Sequence, residues 1–265
     1  MATAIKDKPV TKSAPLKRDT GTASTSVAVR KPNANAVSIA ASLKAQAEAM
    51  SGRVLPPGGN RIRATQDKQF AMPDGQKADS IEVVILDFRA VHNFYEQAYS
   101  KDEVSPPACY AIGLDPKNMV PALNSPNKQA DDCNSCPMHE WGSEGKGKAC
   151  NEGRLMACLP PDATEDTPIM LLQCSPTAVK GFDGYVSSVA RTFQMPPIAV
   201  VTTVAFDEGQ TFAQMVFTDP QPNKQLDVFF ARQAEAAQIL DAERDVSGYG
   251  AAAKKAPPAK KGARR

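Results

Sequence analysis

The chain has 265 residues, of which 42% are hydrophobic and 23% are charged, and this suits one sizeable globular domain or two small ones with tails. It has no apolar stretch approaching the roughly 18–20 residues of a membrane helix, and its start, MATAIKDKPV, lacks the apolar block of a secretory signal. We therefore expect an intracellular protein with no membrane association.

The net formal charge of +2 conceals a strong asymmetry along the chain. Residues 1–60 carry nine basic and three acidic residues, and residues 246–265 carry six basic residues and no acidic ones, so each end has a charge of +6. The middle, 61–245, has 16 basic and 26 acidic residues and a charge of −10. Basic ends of this kind suit a polyanion, an acidic protein surface, or the acidic core itself.

Both ends of the chain are predicted to be disordered and basic. Residues 1–59 form the N-terminal arm, because its first 35 residues contain almost no large apolar side chains. Within the arm, residues 36–50 predict a short helix that either docks weakly on the core and frays, or binds a partner. Its apolar face would carry Ala36, Ala40, Leu43, Ala47 and Met50. The PPGG sequence at 56–59 marks a linker, so the folded core is predicted at 60–245 and a C-terminal tail at 246–265.

The core has mainly the patterns of β-strands. These are predicted at 61–70, 80–95, 110–114, 154–159, 169–174, 198–206 and 211–218. A helix is predicted after 169–174, with Ser175 as N-cap and Pro176 in its first turn, and apolar residues recur from it at helical spacing up to Phe193. A second amphipathic helix is predicted at 224–242, with Leu226, Phe229, Phe230, Ala237 and Leu240 facing inward.

This order of elements predicts a mainly β fold with some α-helix. Strands, one helix and then two strands is the order of a five-stranded OB-like barrel, in which the helix lies between the third and fourth strands. We expect the barrel to carry an inserted loop at 105–153 and a C-terminal helix. OB barrels frequently bind single-stranded nucleic acid, although a fold does not by itself determine function.

Four of the six cysteines predict a metal site in the inserted loop. Cys133 and Cys136 form a C-x2-C pair whose short turn can direct two thiolates at one ion, while Cys109 and Cys150 lie at strand edges. The run GSEGKGKA between them is too polar and glycine-rich to pack unaided, so a metal would supply its order. A zinc ion closed by four protein ligands has no open position for a water and is structural.

Other roles for these residues remain open. Four cysteines also ligate iron–sulfur clusters, the thiols could be unligated, and His139 could replace one cysteine, although we expect it to be a solvated loop histidine. Disulfides and a thioredoxin-like redox pair are disfavoured in an intracellular chain whose CNSC motif does not join a strand to a helix. Cys158 and Cys174 lie in apolar strand patterns and are predicted to be buried core thiols.

The segment of about 105–160 resembles a family of tailed-bacteriophage proteins. The resemblance is carried by PPACYAIG, CNSCP and WGSEGKGKAC, and it extends to the zinc-containing single-stranded DNA-binding proteins of those phages. It implies a zinc-bearing insertion in an OB-like barrel, with Cys109, Cys133, Cys136 and Cys150 as ligands. It also implies a role in phage DNA replication or recombination in the host cytoplasm, with replication or recombination proteins as partners.

Single-strand binding needs cations for phosphates and aromatic faces for bases. The candidates are Arg61, Arg63, Lys68, Arg89, Tyr95, Tyr99, Trp141, Lys146, Lys148 and Arg154. Each of them could instead be a solvated or packed side chain. A binding protein that protects or organises single-stranded DNA is therefore the leading hypothesis from the sequence.

Two other classes of function are compatible with parts of the sequence or need comparison with it, a scaffold protein and an enzyme. An acidic, zinc-containing scaffold protein could dock a basic replication or transcription partner, with the basic tails adhering to nucleic acid or folding back on the core. A nuclease would need catalytic residues, but the chain has no P-loop, no H-E-x-x-H and no G-x-S-x-G motif, and only two histidines, His92 and His139. We therefore expect no enzymatic activity.

Overall fold

The computed structural model describes residues 59–97 and 105–249, together with Ile39, Ser42, Leu43 and Gln46, four helical positions in the N-terminal segment. The chain divides into a unit at Met1–Arg53 and a second unit at Val54–Arg265. The four helical positions agree with the helix predicted at 36–50, and the rest of that helix lies outside the described residues. The rest of the arm predicted at 1–59, apart from residue 59, lies outside them too, as do residues 250–265 of the tail predicted at 246–265.

The described part of the second unit is mainly β-structure, as predicted. Its strands are β1 (Arg61–Ala64), β2 (Phe70–Ala71), β3 (Lys77–Ala78), β4 (Ile81–Phe94), β5 (Cys109–Gly113), β6 (Cys150–Leu159), β7 (Met170–Cys174), β8 (Val200–Phe206) and β9 (Met215–Pro222). Its α-helices are α1 (Pro176–Phe193), α2 (Leu226–Ala231) and α3 (Gln233–Asp241), and 3-10 turns lie at Pro137–His139 and Pro197–Ala199. Each helix in this part of the chain is too short or too polar to cross a bilayer.

The strands form one curled sheet around the long strand β4. The sheet order is β3-β2-β1-β7-β6-β4-β8-β9, and β5 pairs with β4 beside this path. The pairs are antiparallel except for β1 with β7, in which Arg61 aligns with Leu171. One side of β4 pairs with β6, whereas the other side pairs first with β8 and then with β5. Strand β4 therefore holds both halves of the sheet together.

Helices cover the two faces of this sheet. Helix α1 packs on one face, where its buried residues Ala178, Phe182, Tyr185 and Val189 join side chains from seven strands. Helices α2 and α3 pack on the opposite face through Phe229, Ala236 and Leu240. Between Val83 and Leu86, successive β4 side chains enter opposite cores, so this stretch is buried on both faces. A break in the β4–β6 register between Ile85 and Asp87 marks a bulge in the same strand.

The N-terminal strand predicted at 61–70 is two short strands joined by a turn. Strands β1 and β2 pair antiparallel, and Lys68 between them adopts a positive φ of 55°. The next turn forms at Pro73-Asp74-Gly75 as predicted, where the Gly75 N–H donates to the Met72 carbonyl at 3.0 Å and φ is +87°. The Lys68 ammonium then donates to the carbonyls of Asp207, at 3.0 Å, and Gln210, at 2.7 Å, which ties this hairpin to the β8–β9 turn.

Helix α1 begins and ends where its sequence predicts. Ser175 occupies the N-cap position and Pro176 lies in the first turn. Backbone N–H groups of the first turn have no acceptor within the helix, so a proline there costs no hydrogen bond. Gln194 ends the helix with a left-handed φ of 54°, and Pro196 and Pro197 follow. The final strand begins later than predicted, at Met215 rather than at 211, because the Gln214 carbonyl and the Asp207 N–H close the preceding turn at 2.9 Å.

The prediction of a single C-terminal helix at 224–242 is wrong, since the structure has two helices there, α2 and α3. The chain breaks at Arg232, whose φ and ψ are −90° and −3°. Phe229 and Leu240 are buried as predicted, and Ala237 is partly buried. Leu226 is 37% exposed and Phe230 is 66% exposed. The break changes the helical phase, so a single apolar face calculated across it places these two side chains incorrectly.

Candidate metal centre

Strands β5, β4 and β6 bring two cysteines to one face of the sheet. Phe94 on the central strand aligns with Cys109 on β5 and with Cys150 on β6, and residues directly opposite each other in antiparallel strands point to the same side. Two residues earlier on that face, His92 aligns with Glu152. The strand register alone therefore groups two thiols, an imidazole and a carboxylate.

The loop between β5 and β6 adds the other two cysteines. The Cys133 N–H donates to the Met119 carbonyl at 3.1 Å, and Cys136 directly precedes the 3-10 turn Pro137–His139 and accepts a hydrogen bond from the His139 N–H at 2.9 Å. All four thiols are buried, with exposed fractions of 6–8%. They line a single cavity together with His92 and His139. The structure thus brings together the four cysteines that the sequence proposes as metal ligands.

The electrostatics of the cavity disfavour free thiolates. Burial, together with the repulsion of like charges between neighbouring thiols, raises the pKa of Cys133 to about 11 and that of Cys150 to about 12. A bound cation would reverse this balance, since metals bind cysteine as thiolate. The donor set therefore has the chemistry of a soft metal site.

A second group of potential ligands adjoins the cysteines. The ligand atoms of His92, His139 and Glu152 all lie within 4.8 Å of one another. The His139 Nε2 atom is 2.6 Å from Glu152 Oε1, and the ring centroids of His92 and His139 are 4.5 Å apart. This cluster could also hold a metal. The prediction that His139 is a solvated loop residue is wrong, because its side chain is 14% exposed and hydrogen bonded.

The cluster contains one polar atom that lacks a partner. His92 Nδ1 is buried and has no hydrogen-bond partner among the described residues. Burial and the nearby charge of His139 lower the pKa of His92 to about 4, so this imidazole is neutral near pH 7, the form that binds a metal. The sequence shows His92 only as one of two histidines. It lies within a long apolar strand and has no ligand spacing to a cysteine or to the other histidine that could identify it.

The remaining cysteines lie away from the cavity. Cys158 and Cys174 are fully buried in the core beneath α1, which confirms their prediction as core thiols. Burial raises the pKa of Cys158 to about 12 and that of Cys174 to about 11. All six cysteines are free of disulfide bonds.

Two of the predicted nucleic-acid contacts are corrected by the structure. Arg89 is 3% exposed and is held by Asp87 and Asp241, and Arg154 is 7% exposed and is paired with both carboxylate oxygens of Asp183 at 3.0 and 2.7 Å. Their guanidinium groups are engaged in these ion pairs and do not face solvent. The sequence does not reveal these two-oxygen pairs because Asp183 lies 29 residues after Arg154 and Asp241 lies 152 residues after Arg89; Asp87, the other partner of Arg89, is local.

Two predicted lysine contacts are also engaged within the protein. Lys68 is held by the two carbonyls of the β8–β9 turn described above. The Lys148 ammonium lies 2.5 Å from Glu152 Oε1 and 3.2 Å from His139 Nε2, so it belongs to the histidine–carboxylate cluster. Neither ammonium is a freely solvated cation in this structure.

The other candidates that the structure describes face solvent at least in part. Trp141 is 78% exposed and Tyr95 is 43% exposed. Arg63 and Lys146 are exposed, whereas Arg61 is partly buried at the start of β1. Tyr99 lies outside the described residues. Comparison of the chain with protein-family models, with curated proteins and with solved structures finds no match.

Proposed function

We propose that this chain is a single-stranded DNA-binding protein whose β-rich core is an OB-like barrel with a structural zinc loop. The observation that carries the proposal is the exposure of Trp141, the one tryptophan of the sequence, on the loop that contains the cysteine ligands. The four cysteines would hold the zinc, and base stacking with phosphate contacts would hold the strand. Protection or organisation of single-stranded DNA during replication or recombination would follow from such binding.

Trp141 has the properties of a stacking platform. An indole that is 78% exposed presents a large apolar face to water, and a base that stacks on this face removes it from water. It lies between the 3-10 turn Pro137–His139 and a tight turn closed by the Gly147 N–H and the Glu144 carbonyl at 2.9 Å. Gly142 and Gly145 adopt positive φ values of 92° and 58° in this loop, which glycine tolerates without strain.

Cations near each exposed aromatic residue support the proposal. Lys146 follows Trp141 in the same loop and is exposed, and it makes no ion pair in the described part of the chain. Tyr95 lies just beyond the end of β4 and acts to raise the pKa of Arg61 at the start of β1, against the larger lowering by burial. Stacking faces and cations thus occur together at two places, which is what sequence-tolerant binding of a single strand needs.

The metal would support this function by ordering the loop. Residues 114–149 contain a single 3-10 turn and no named strand in the described structure, and they carry Cys133 and Cys136, which share one cavity with Cys109 of β5 and Cys150 of β6. Zinc bound by all four cysteines has no open position for a water, so it would be structural. His92, His139 and Glu152 are the alternative ligand set, and an iron–sulfur cluster on the four cysteines is the alternative cofactor.

A second candidate function is docking of a basic protein partner, and one observation favours it. Leu114, Val120 and Leu123 in the loop after β5 are 76%, 63% and 86% exposed, which is the pattern of a small apolar contact surface. The charge of −10 over residues 61–245 would attract a basic partner such as a replication protein. The basic tails would then adhere to nucleic acid.

Fluorescence anisotropy of a labelled oligothymidine, titrated with the full-length chain, separates these functions. Trp141→Ala and Tyr95→Ala should each weaken binding about 5- to 100-fold, since a stacked base is worth roughly 1–3 kcal/mol. Phe230→Ala is the matched control, because Phe230 is a 66% exposed aromatic residue on α2 and should be neutral. If the affinity is unchanged in both test variants, DNA binding belongs to the tails, and docking of a basic partner replaces DNA binding as the function of the core.

A further inference from the structure

Arg244 has a fixed backbone at the end of the described core. It lies three residues beyond the end of α3, where the chain crosses back over β5. Its backbone N–H donates to the Tyr110 hydroxyl at 3.0 Å, and its carbonyl accepts a hydrogen bond from Asn124 Nδ2 at 3.0 Å. The side chain therefore starts from an anchored position rather than from a free tail.

The guanidinium of Arg244 is only partly satisfied. Its Nη1 atom donates to Asn93 Oδ1 at 2.6 Å, and its central carbon lies 5.4 Å from the centroid of the Tyr110 ring. The Nε and Nη2 atoms are buried and have no hydrogen-bond partner among the described residues. A guanidinium stays charged under all ordinary conditions, so two orphaned donors on it carry a large desolvation penalty.

A second cation lies close to Arg244. Arg61, at the start of β1, is near enough to lower the pKa of Arg244, which burial lowers more strongly. Burial likewise lowers the pKa of Arg61. The contrast with Arg89 and Arg154 is informative, because both of those buried arginines have carboxylate partners. In the described part of the chain, no carboxylate pairs with Arg61 or Arg244. The pair therefore has an excess of positive charge in a partly desolvated place.

We propose that Arg244 and Arg61 form a binding site for a phosphate group. The Nε and Nη2 atoms of Arg244 form a fork that donates hydrogen bonds to two oxygens of a phosphate, and the second guanidinium neutralises the remaining charge. Tyr95, which acts to raise the pKa of both arginines, is 43% exposed, so it offers a face to a base attached to that phosphate. This inference rests on the proposed function, because it identifies the phosphate subsite beside one of the two aromatic residues.

The same chemistry fits a phosphodiester of single-stranded DNA or free phosphate. The test uses the full-length chain and two probes, inorganic phosphate and an unlabelled oligothymidine. The variants are Arg244→Gln and Arg61→Gln, and Arg244→Lys retains the charge without the fork if the glutamine variant folds poorly. Arg191→Gln is the matched control, since Arg191 is an exposed arginine in the last turn of α1.

In wild type and in Arg191→Gln, phosphate should raise the melting temperature more than an equal ionic strength of chloride does. Both test variants should lose this difference, and the control corrects for the general stabilising effect of phosphate salts. If the ligand is DNA, each test variant should also reduce the slope of log affinity against log salt by about 1. A phosphate effect without a change in that slope identifies free phosphate as the source.

The outcomes distinguish the site from the function. If the full-length protein binds the oligonucleotide but substitution of Arg244 or Arg61 changes neither the phosphate effect nor the oligonucleotide binding, the phosphate site is wrong and DNA binding stands. Protein that responds to phosphate through both arginines but does not bind the oligonucleotide supports the site and overturns the proposed function.

Discussion

Arg89 in the middle of β4 and Asp241 at the end of α3 form a two-point ion pair, with Nε–Oδ1 and Nη2–Oδ2 distances of 2.7 and 3.1 Å. Because the Arg89 side chain is only 4% exposed, this pair fixes the position of the last helix on the sheet. The hydrogen bond to Asp241, with burial opposing it and Asp87 assisting, raises the pKa of Arg89. The arginine is thus a packing element, in contrast to its predicted role in binding DNA.

We expect Asp241→Asn to lower the free energy of unfolding by about 1–3 kcal/mol, because it leaves a buried guanidinium with one carboxylate. Glu243→Gln is the control, since it removes an exposed negative charge two residues away. Chemical denaturation monitored by circular dichroism measures both. Equal stability of the two variants would show that the Asp241 pair does not hold α3 on the sheet.

Lys68→Met should destabilise the protein without changing its salt-dependent binding of DNA. The ammonium of Lys68 joins the β1–β2 turn to the β8–β9 turn through two carbonyls, and we expect its loss to cost about 1–2 kcal/mol. Its cation is not free to meet a phosphate. Thermal unfolding and an oligonucleotide salt titration on the same variant provide the check, and a reduced salt slope at unchanged stability would contradict it.

Metal content should depend on the cavity cysteines and not on the core cysteines. We expect purified chain to contain one zinc, and Cys133→Ala or Cys150→Ala to lose it, whereas Cys158→Ala retains it despite an equally buried thiol. Elemental analysis after gel filtration measures the stoichiometry, and an iron signal with visible absorption would identify a cluster instead. Retention of the metal in both cavity variants, with loss in His92→Ala, would assign it to the histidine–carboxylate set.

Trp141 provides a direct optical test of base stacking. As the one tryptophan of the chain and 78% exposed, it should emit at long wavelength in the free protein. Oligothymidine should quench this emission in proportion to occupancy, because stacked bases quench an indole, whereas free deoxyribose phosphate should not. Emission that is unaffected at saturating oligonucleotide would exclude Trp141 from the binding surface.

Local patterns predicted the parts of the fold that depend on neighbouring residues. The apolar run of β4, the turn at Gly75 and the capped helix α1 follow from the chemistry of residues within a few positions of each other. The burial of the four cysteines around one cavity also follows the sequence, because a polar loop with a C-x2-C pair has few other ways to become ordered.

The features that the sequence did not predict depend on distant partners. Arg89 and Arg154 lie in strand patterns that would equally fit cations facing solvent. They are buried because they pair with Asp241 and Asp183, which lie far along the chain. Arg244 lies at the end of the predicted core, where no local pattern marks it, yet tertiary contacts with Asn93 and Tyr110 partly bury it. Helix propensity likewise could not reveal the break at Arg232, because packing of two separate helices on one sheet face overrides it.

The double burial of β4 has a consequence for how the molecule comes apart. Val83 and Ile85 belong to the core under α1, and Val84 and Leu86 belong to the core under α3, so the two cores share one strand. Opening either core exposes a face of that strand and weakens its pairing with β6 and β8. The two hydrophobic layers therefore lose their structure together, in one cooperative transition, rather than as independent units.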